Sequence, residues 1–183
     1  MERENMSKPI DGQHILDYRG VEHEDIPNID IYMDQLLTFF DQEYEFFKRS
    51  SKENIITKSM INNYVKAGII NKPRKKKYNR DQVKILIIIF HLKQVMSIQD
   101  IQALFRRVAA SGLSNDAFYD IFLNTEKTAY EELSNLYNNT LSSELDDPTL
   151  INTIITLTTE ACAKKRLAEK LLHKIMENTK PDK

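Results

Sequence analysis

From Pro27 to Lys48, apolar residues return every three or four positions: Ile31, Met33, Leu36, Leu37, Phe39, Phe40, Tyr44 and Phe47. That period predicts a helix over 27–48 with one buried face. A polar loop, Arg49 to Asn54, follows. Thr57 is a good N-cap for a short second helix, Lys58 to Ala67, and Gly68 stands where helices end in a left-handed residue. On this second helix Ile61 and Val65 share a face, with Met60 and Tyr64 beside them. Lys58, Asn62 and Lys66, four apart, line the opposite side. Apolar residues thus anchor the helix while a stripe of ammonium and amide groups points out.

The segment Ile69 to Tyr78 breaks the helical pattern with Pro73 and reads as a short extended loop or a two-stranded wing. Asn79 and Gln82 form a capping pair for a third helix, Arg80 to about Val95. That helix is apolar nearly all round, which marks it as the central core element. Ser97 with Asp100 caps a fourth helix, Ile98 to about Ala110, ended by Ser111-Gly112. Ser114 opens a fifth, to about Ser143, with Phe118, Phe122, Ala129, Leu133 and Leu136 on one side. Asp147-Pro148 then supplies an N-cap and a first-turn proline for a sixth, to about Asn178. The last two helices, each ~45 Å long at the usual rise, should fold back as an antiparallel pair. Residues 1–26 are polar without clean periodicity and read as irregular. The expected organisation is an irregular segment at 1–26, a helical domain at 27–112 and a helical hairpin at 113–183. The fold class is all-α.

Composition supports this reading and adds one asymmetry. Four glycines and five prolines in 183 residues favour long helices over many turns. The single cysteine, Cys162, allows no internal disulfide and fits a reducing cytoplasm. The N-terminus carries no apolar signal core, and the longest apolar run, Ile85 to Phe90, is far short of a membrane span. The net charge is −1, but it is unevenly spread. Residues 1–56 carry 6 basic and 13 acidic groups, 57–107 carry 12 and 2, and 108–183 carry 8 and 12. From Lys72 to Lys77 only Pro73 interrupts the cations. A basic block between acidic ones points to a local polyanion site.

Other chemistry is sparse. His14, His23, His91 and His173 lack metal-ligand spacing, and His91 reads as a core-edge residue. Cys162 shares a helical stripe with Ile151 and Ile155, which predicts a buried structural thiol. Glu22, Glu24, Asp25, Asp146 and Asp147 read as loop and cap residues. There is no phosphate loop, nucleophile elbow or catalytic triad, so neither an enzyme nor a cofactor is expected.

A short helix, a glycine stop, a basic proline-containing hairpin and an apolar helix, in that order, resemble the winged helix-turn-helix of the mercury-resistance-regulator (MerR-type) superfamily. Asn63-Tyr64 stands in that family's aromatic position. Gly68-Ile69-Ile70-Asn71-Lys72-Pro73 is similar to its post-helix segment with one extra residue. Tyr78 matches its wing tyrosine, and Val95 to Ile101 its later turn. The blocks from Asp30 to Gln35 and from Thr57 to Lys66 also resemble an uncharacterised bacterial family catalogued as a domain of unknown function, number 1836. The chain departs from the MerR pattern in three places. Asn63 replaces an arginine, the wing is short with no glycine at its tip, and the first helix is longer.

The resemblance implies a DNA-binding transcriptional regulator that pairs through a long C-terminal helix. Asparagine can bond adenine at two points and lysine can bond guanine, so Ser59, Asn62 and Asn63 are the candidate base readers. Lys58 and Lys66 suit either bases or phosphates. Arg74, Lys75, Lys76, Lys77 and Arg80 suit phosphates. Tyr64 reads equally as core or as a backbone contact, and Tyr78 chiefly as packing. The expected partners are double-stranded DNA and a second copy of the chain, with no membrane partner and an unknown small-molecule effector. An adaptor of the same fold that binds protein instead is the alternative. RNA binding ranks below both, because little exposed aromatic surface interleaves the cations.

Overall fold

The computed structural model describes residues 18–48, 50, 52–141 and 146–177. Six α-helices lie among them: α1 (Met33–Glu43), α2 (Lys58–Lys66), α3 (Arg80–Leu92), α4 (Ile98–Ala110), α5 (Asn115–Leu136) and α6 (Asp147–Glu177). Two short strands, β1 (Ile31–Tyr32) and β2 (Lys77–Tyr78), pair antiparallel, with Ile31 opposite Tyr78 and Tyr32 opposite Lys77. The fold is therefore all-α with a two-stranded appendage. The expected irregularity of residues 1–17 lies outside the described residues.

Each helix begins where side-chain chemistry dictates. Thr57 Oγ1 accepts from Met60 N at 3.2 Å. Asn79 Oδ1 accepts from Gln82 N at 2.9 Å while Gln82 Oε1 accepts from Asn79 N at 3.0 Å, a reciprocal capping box. Ser97 Oγ accepts from Asp100 N and Ser114 Oγ from Ala117 N, both at 3.1 Å. The cap of α6 falls one residue earlier than the sequence suggests. Asp146, not Asp147, accepts from Thr149 N at 3.1 Å, and the hydrogen bonds from Thr149 hold its carboxyl below the usual range.

α3 is the central rod. Val83, Leu86, Ile87, Ile88, Ile89 and Phe90 are all buried, as its all-round apolar pattern predicts. α5 packs along it. Tyr18, Val21 and Ile26 from the segment before α1 join the same core as Tyr119 and Leu123 of α5, and Tyr119 Oη donates to Val21 O at 2.6 Å. Tyr18, Val21 and Ile26 thus anchor a stretch whose other residues, including the 3-10 turn His23–Asp25, are exposed or half-buried. Around His91 the core is polar as well as aromatic. His91 Nδ1 lies 2.9 Å from Glu126 Oε1, within a shell of Tyr18, Tyr44, Phe47 and Phe122 rings. Burial, with the Glu126 charge nearby, pushes the Tyr130 hydroxyl up to about 12.

Four expectations differ. The first helix starts at Met33 and not at Pro27, because Ile31 and Tyr32 are taken by the strand pairing with β2, and it yields at Tyr44 to a 3-10 turn, Glu45–Phe47. α5 ends at Leu136 in a π-helical turn, Tyr137–Leu141. The last two helices do not form the expected hairpin. α6 takes its principal packing from α4, and apart from Leu172 its apolar residues stay largely outside the core. Cys162 is exposed, not buried, because the stripe it shares with Ile151 and Ile155 faces away from the chain.

Candidate nucleic-acid interface

α2 is short, and two side chains pin it. Ile61 and Tyr64, one turn apart, are fully buried, while Val65, expected as the second anchor, is only half-buried. The i to i+3 spacing of the pins leaves Lys58, Ser59, Asn62, Asn63 and Lys66 exposed along the other side. The helix stops as its sequence requires. Gly68 adopts φ +70°, and Ile69 N returns to Tyr64 O at 3.1 Å, capping the last carbonyls. Ile69 and Ile70 are then buried, which fixes the path of the chain into the basic segment.

That segment closes in a tight turn. Lys77 N donates to Arg74 O at 2.9 Å, and Arg74 bridges Lys77 in the antiparallel sense. The two central residues, Lys75 at φ 50° and Lys76 at φ 64°, are both left-handed. Two consecutive positive φ values define the turn type that fits a hairpin's twist, and it is usually filled by Asn-Gly. Lysine there costs about 1–2 kcal/mol per residue. β2 leads straight out of the turn and pairs with β1, so the lysine tip is fixed to the start of α1. Lys77 Nζ lies 4.8 Å from the Tyr32 ring centre, a cation–π contact across the strand pair.

Lys58, Lys66, Lys72, Arg74, Lys75 and Lys76 are all exposed, and none has an ion-pair partner among the described residues. No carboxylate of the described residues pairs with these cations. The outer side of α2 and the lysine turn that follows it in the chain are thus both exposed and cationic, and α2 adds amide and hydroxyl groups. Such surfaces can hold a polyanion and offer donors and acceptors to it.

Not every candidate residue belongs to these surfaces. Tyr64 is 3% exposed and Tyr78 2% exposed, so both are core residues; burial raises both hydroxyls above the ordinary tyrosine range. Arg80 is also withdrawn from them. Its guanidinium donates to His23 O and to Asn28 Oδ1, which ties the segment before α1 to the start of α3. Lys77 is half-buried and shared with Tyr32. Sequence reasoning missed β1 and the Tyr32 contact, since two residues of alternation inside a helical pattern carry almost no signal of their own. Among the described residues no helix is long and apolar enough to cross a membrane.

A family model described as Domain of unknown function (DUF1836) matches residues 21–139. No curated protein matches the chain, and no solved structure does.

Proposed function

The chain belongs to the DUF1836 family, and from that premise we propose that it is a sequence-specific, double-stranded-DNA-binding transcriptional regulator that acts as a homodimer. In this reading residues 27–112 form a MerR-like winged helix-turn-helix unit. α2 enters the major groove, Ser59, Asn62 and Asn63 meet base edges, and Lys58 and Lys66 reach bases or flanking phosphates. Arg74, Lys75 and Lys76 hold phosphates from the wing. The observation that carries the proposal is the exposed polar side of α2, followed in the chain by a left-handed turn of two lysines. Strained backbone is retained where it positions function, and this turn presents two cations at its tip.

A single unit of this size buries little surface on DNA, so two-fold pairing on a palindromic site is the economical arrangement. α6 supports the pairing: Ile151, Ile154, Ile155, Leu167, Leu171 and Ile175 are exposed along it. Light scattering should give twice the 21.4 kDa chain mass at micromolar protein. The same apolar face favours the second reading, a protein–protein adaptor that does not bind DNA. Sequencing of fragments retained from the source genome separates the two. A regulator enriches a shared palindromic motif, and Asn62→Ala relaxes the preference at particular positions of it. An adaptor enriches nothing. If Asn62→Ala weakens every sequence equally, Asn62 does not read bases.

A further inference from the structure

A cavity of about 520 Å³ is walled by the loop after α2 and by parts of α3, α4 and α5. Its size falls within the ~300–1,000 Å³ range of small-ligand sites. The floor is apolar. Ile69 is buried, Ile85 is half-buried, and the Phe105 and Phe118 rings meet edge-on with centroids 5.4 Å apart. Two side-chain amides brace the wall. Gln82 Nε2 donates to Asn71 O at 2.7 Å and Gln102 Nε2 to Ala67 O at 2.5 Å, so the 67–71 loop is held open against α3 and α4. The wall is therefore preformed, and a ligand need not order it.

The rim is cationic. Lys72, Arg74 and Arg106 line the mouth, all exposed and all without an ion-pair partner among the described residues. Asp81 is the one carboxylate among the described lining residues, and it accepts from Asn115 Nδ2 at 3.3 Å. We propose that this cavity binds a small organic acid, with a flat or branched apolar body against Phe105 and Phe118 and a carboxylate at Arg106 and Arg74. Guanidinium groups suit carboxylates because their donors match both oxygens. The site stands on its own geometry and not on the DNA reading.

The test uses the full chain without DNA and 1-naphthoate as the probe, followed by ligand-observed NMR and calorimetry. 1-Naphthylmethylamine keeps the ring body and reverses the charge. Two variants report on the site: Arg106→Gln removes a rim cation, and Ala109→Trp fills the cavity from an exposed position on α4. Naphthoate should bind, and both the amine and Arg106→Gln should weaken binding roughly ten-fold or more, the worth of one charge-assisted hydrogen bond. Ala109→Trp should abolish binding while the chain keeps its cooperative unfolding. No binding at millimolar naphthoate overturns the proposal. So does equal binding of acid and amine, or binding that survives Ala109→Trp, which would place the probe on the apolar face of α6 instead.

Discussion

Lys76→Gly should make the protein more stable and its grip on DNA weaker. Lys76 sits at φ 64° in the second central position of the turn, the place that glycine ordinarily fills. A left-handed lysine costs about 1–2 kcal/mol, and glycine returns part of that, about 0.5–1 kcal/mol, through its looser unfolded chain. The net gain is about 0.5–1 kcal/mol, or roughly 1–4 °C in Tm for a chain of this length. Lys76→Ala is the control, because alanine pays the same steric cost as lysine and removes the same charge. Thermal and denaturant unfolding should therefore place Gly above both Ala and Lys, with Ala and Lys close together. In DNA titrations the two variants should behave alike, each lowering the slope of log K against log salt by about 0.9. Equal stability of the Gly and Ala variants would refute the left-handed turn. A slope unchanged in both would remove Lys76 from the phosphate contacts.

Other outcomes follow from the same structure. Lys84 is 3% exposed and ion-paired with Asp116, whose carboxyl the lysine's hydrogen bond and charge hold below its usual range. A depressed carboxyl contributes stability above its unfolded value of ~3.9 and loses it as pH falls through the folded value. Asp116→Asn should thus lower Tm at neutral pH, by a margin that shrinks in acid, and adding Lys84→Met should restore it; a pH-independent margin would contradict the pairing. A Cβ at Gly20, where φ is +79°, would fall 2.5 Å from Leu123 Cδ1, so Gly20→Ala should cost about 3 kcal/mol in denaturant titration, from backbone strain and overpacking together. In a dimer built on the outer stripe of α6, Cys162 should react more slowly with maleimide as protein concentration rises through the dimerisation range. A rate independent of concentration, with the doubled mass still present, would move the interface to another face.

Local chemistry made much of this legible in the sequence. The caps at Thr57, Asn79, Ser97 and Ser114 were readable because each satisfies a backbone donor within three residues. The burial of α3 was readable because it is apolar on every side. The outward stripe of α2 followed from spacing alone, although the second anchor is Tyr64 and not Val65, since a tyrosine reads equally as polar or core. What stayed hidden depends on contacts distant in sequence. β1 exists because β2, some 46 positions on, pairs with it. Arg80 left the cationic face because His23 O and Asn28 were within its reach. Helical periodicity shows that a helix has an apolar face but not which neighbour covers it, so the packing of α6 on α4 and not on α5 cannot be read from spacing. The cavity brings together side chains from three helices and the loops that join them, and its outline is absent from any one segment.

The central claim is that the outer side of α2 and the lysine turn together hold duplex DNA. Fluorescence anisotropy of a mixed duplex pool, titrated at several salt concentrations, tests it most directly with the intact chain and a Lys75→Ala/Lys76→Ala variant. The account predicts tight binding at low salt that weakens steeply as salt rises, and a slope shallower by about 1.8 in the double variant, two phosphate contacts at ~0.9 each. Absence of binding at low salt, or the same slope for both proteins, would contradict it.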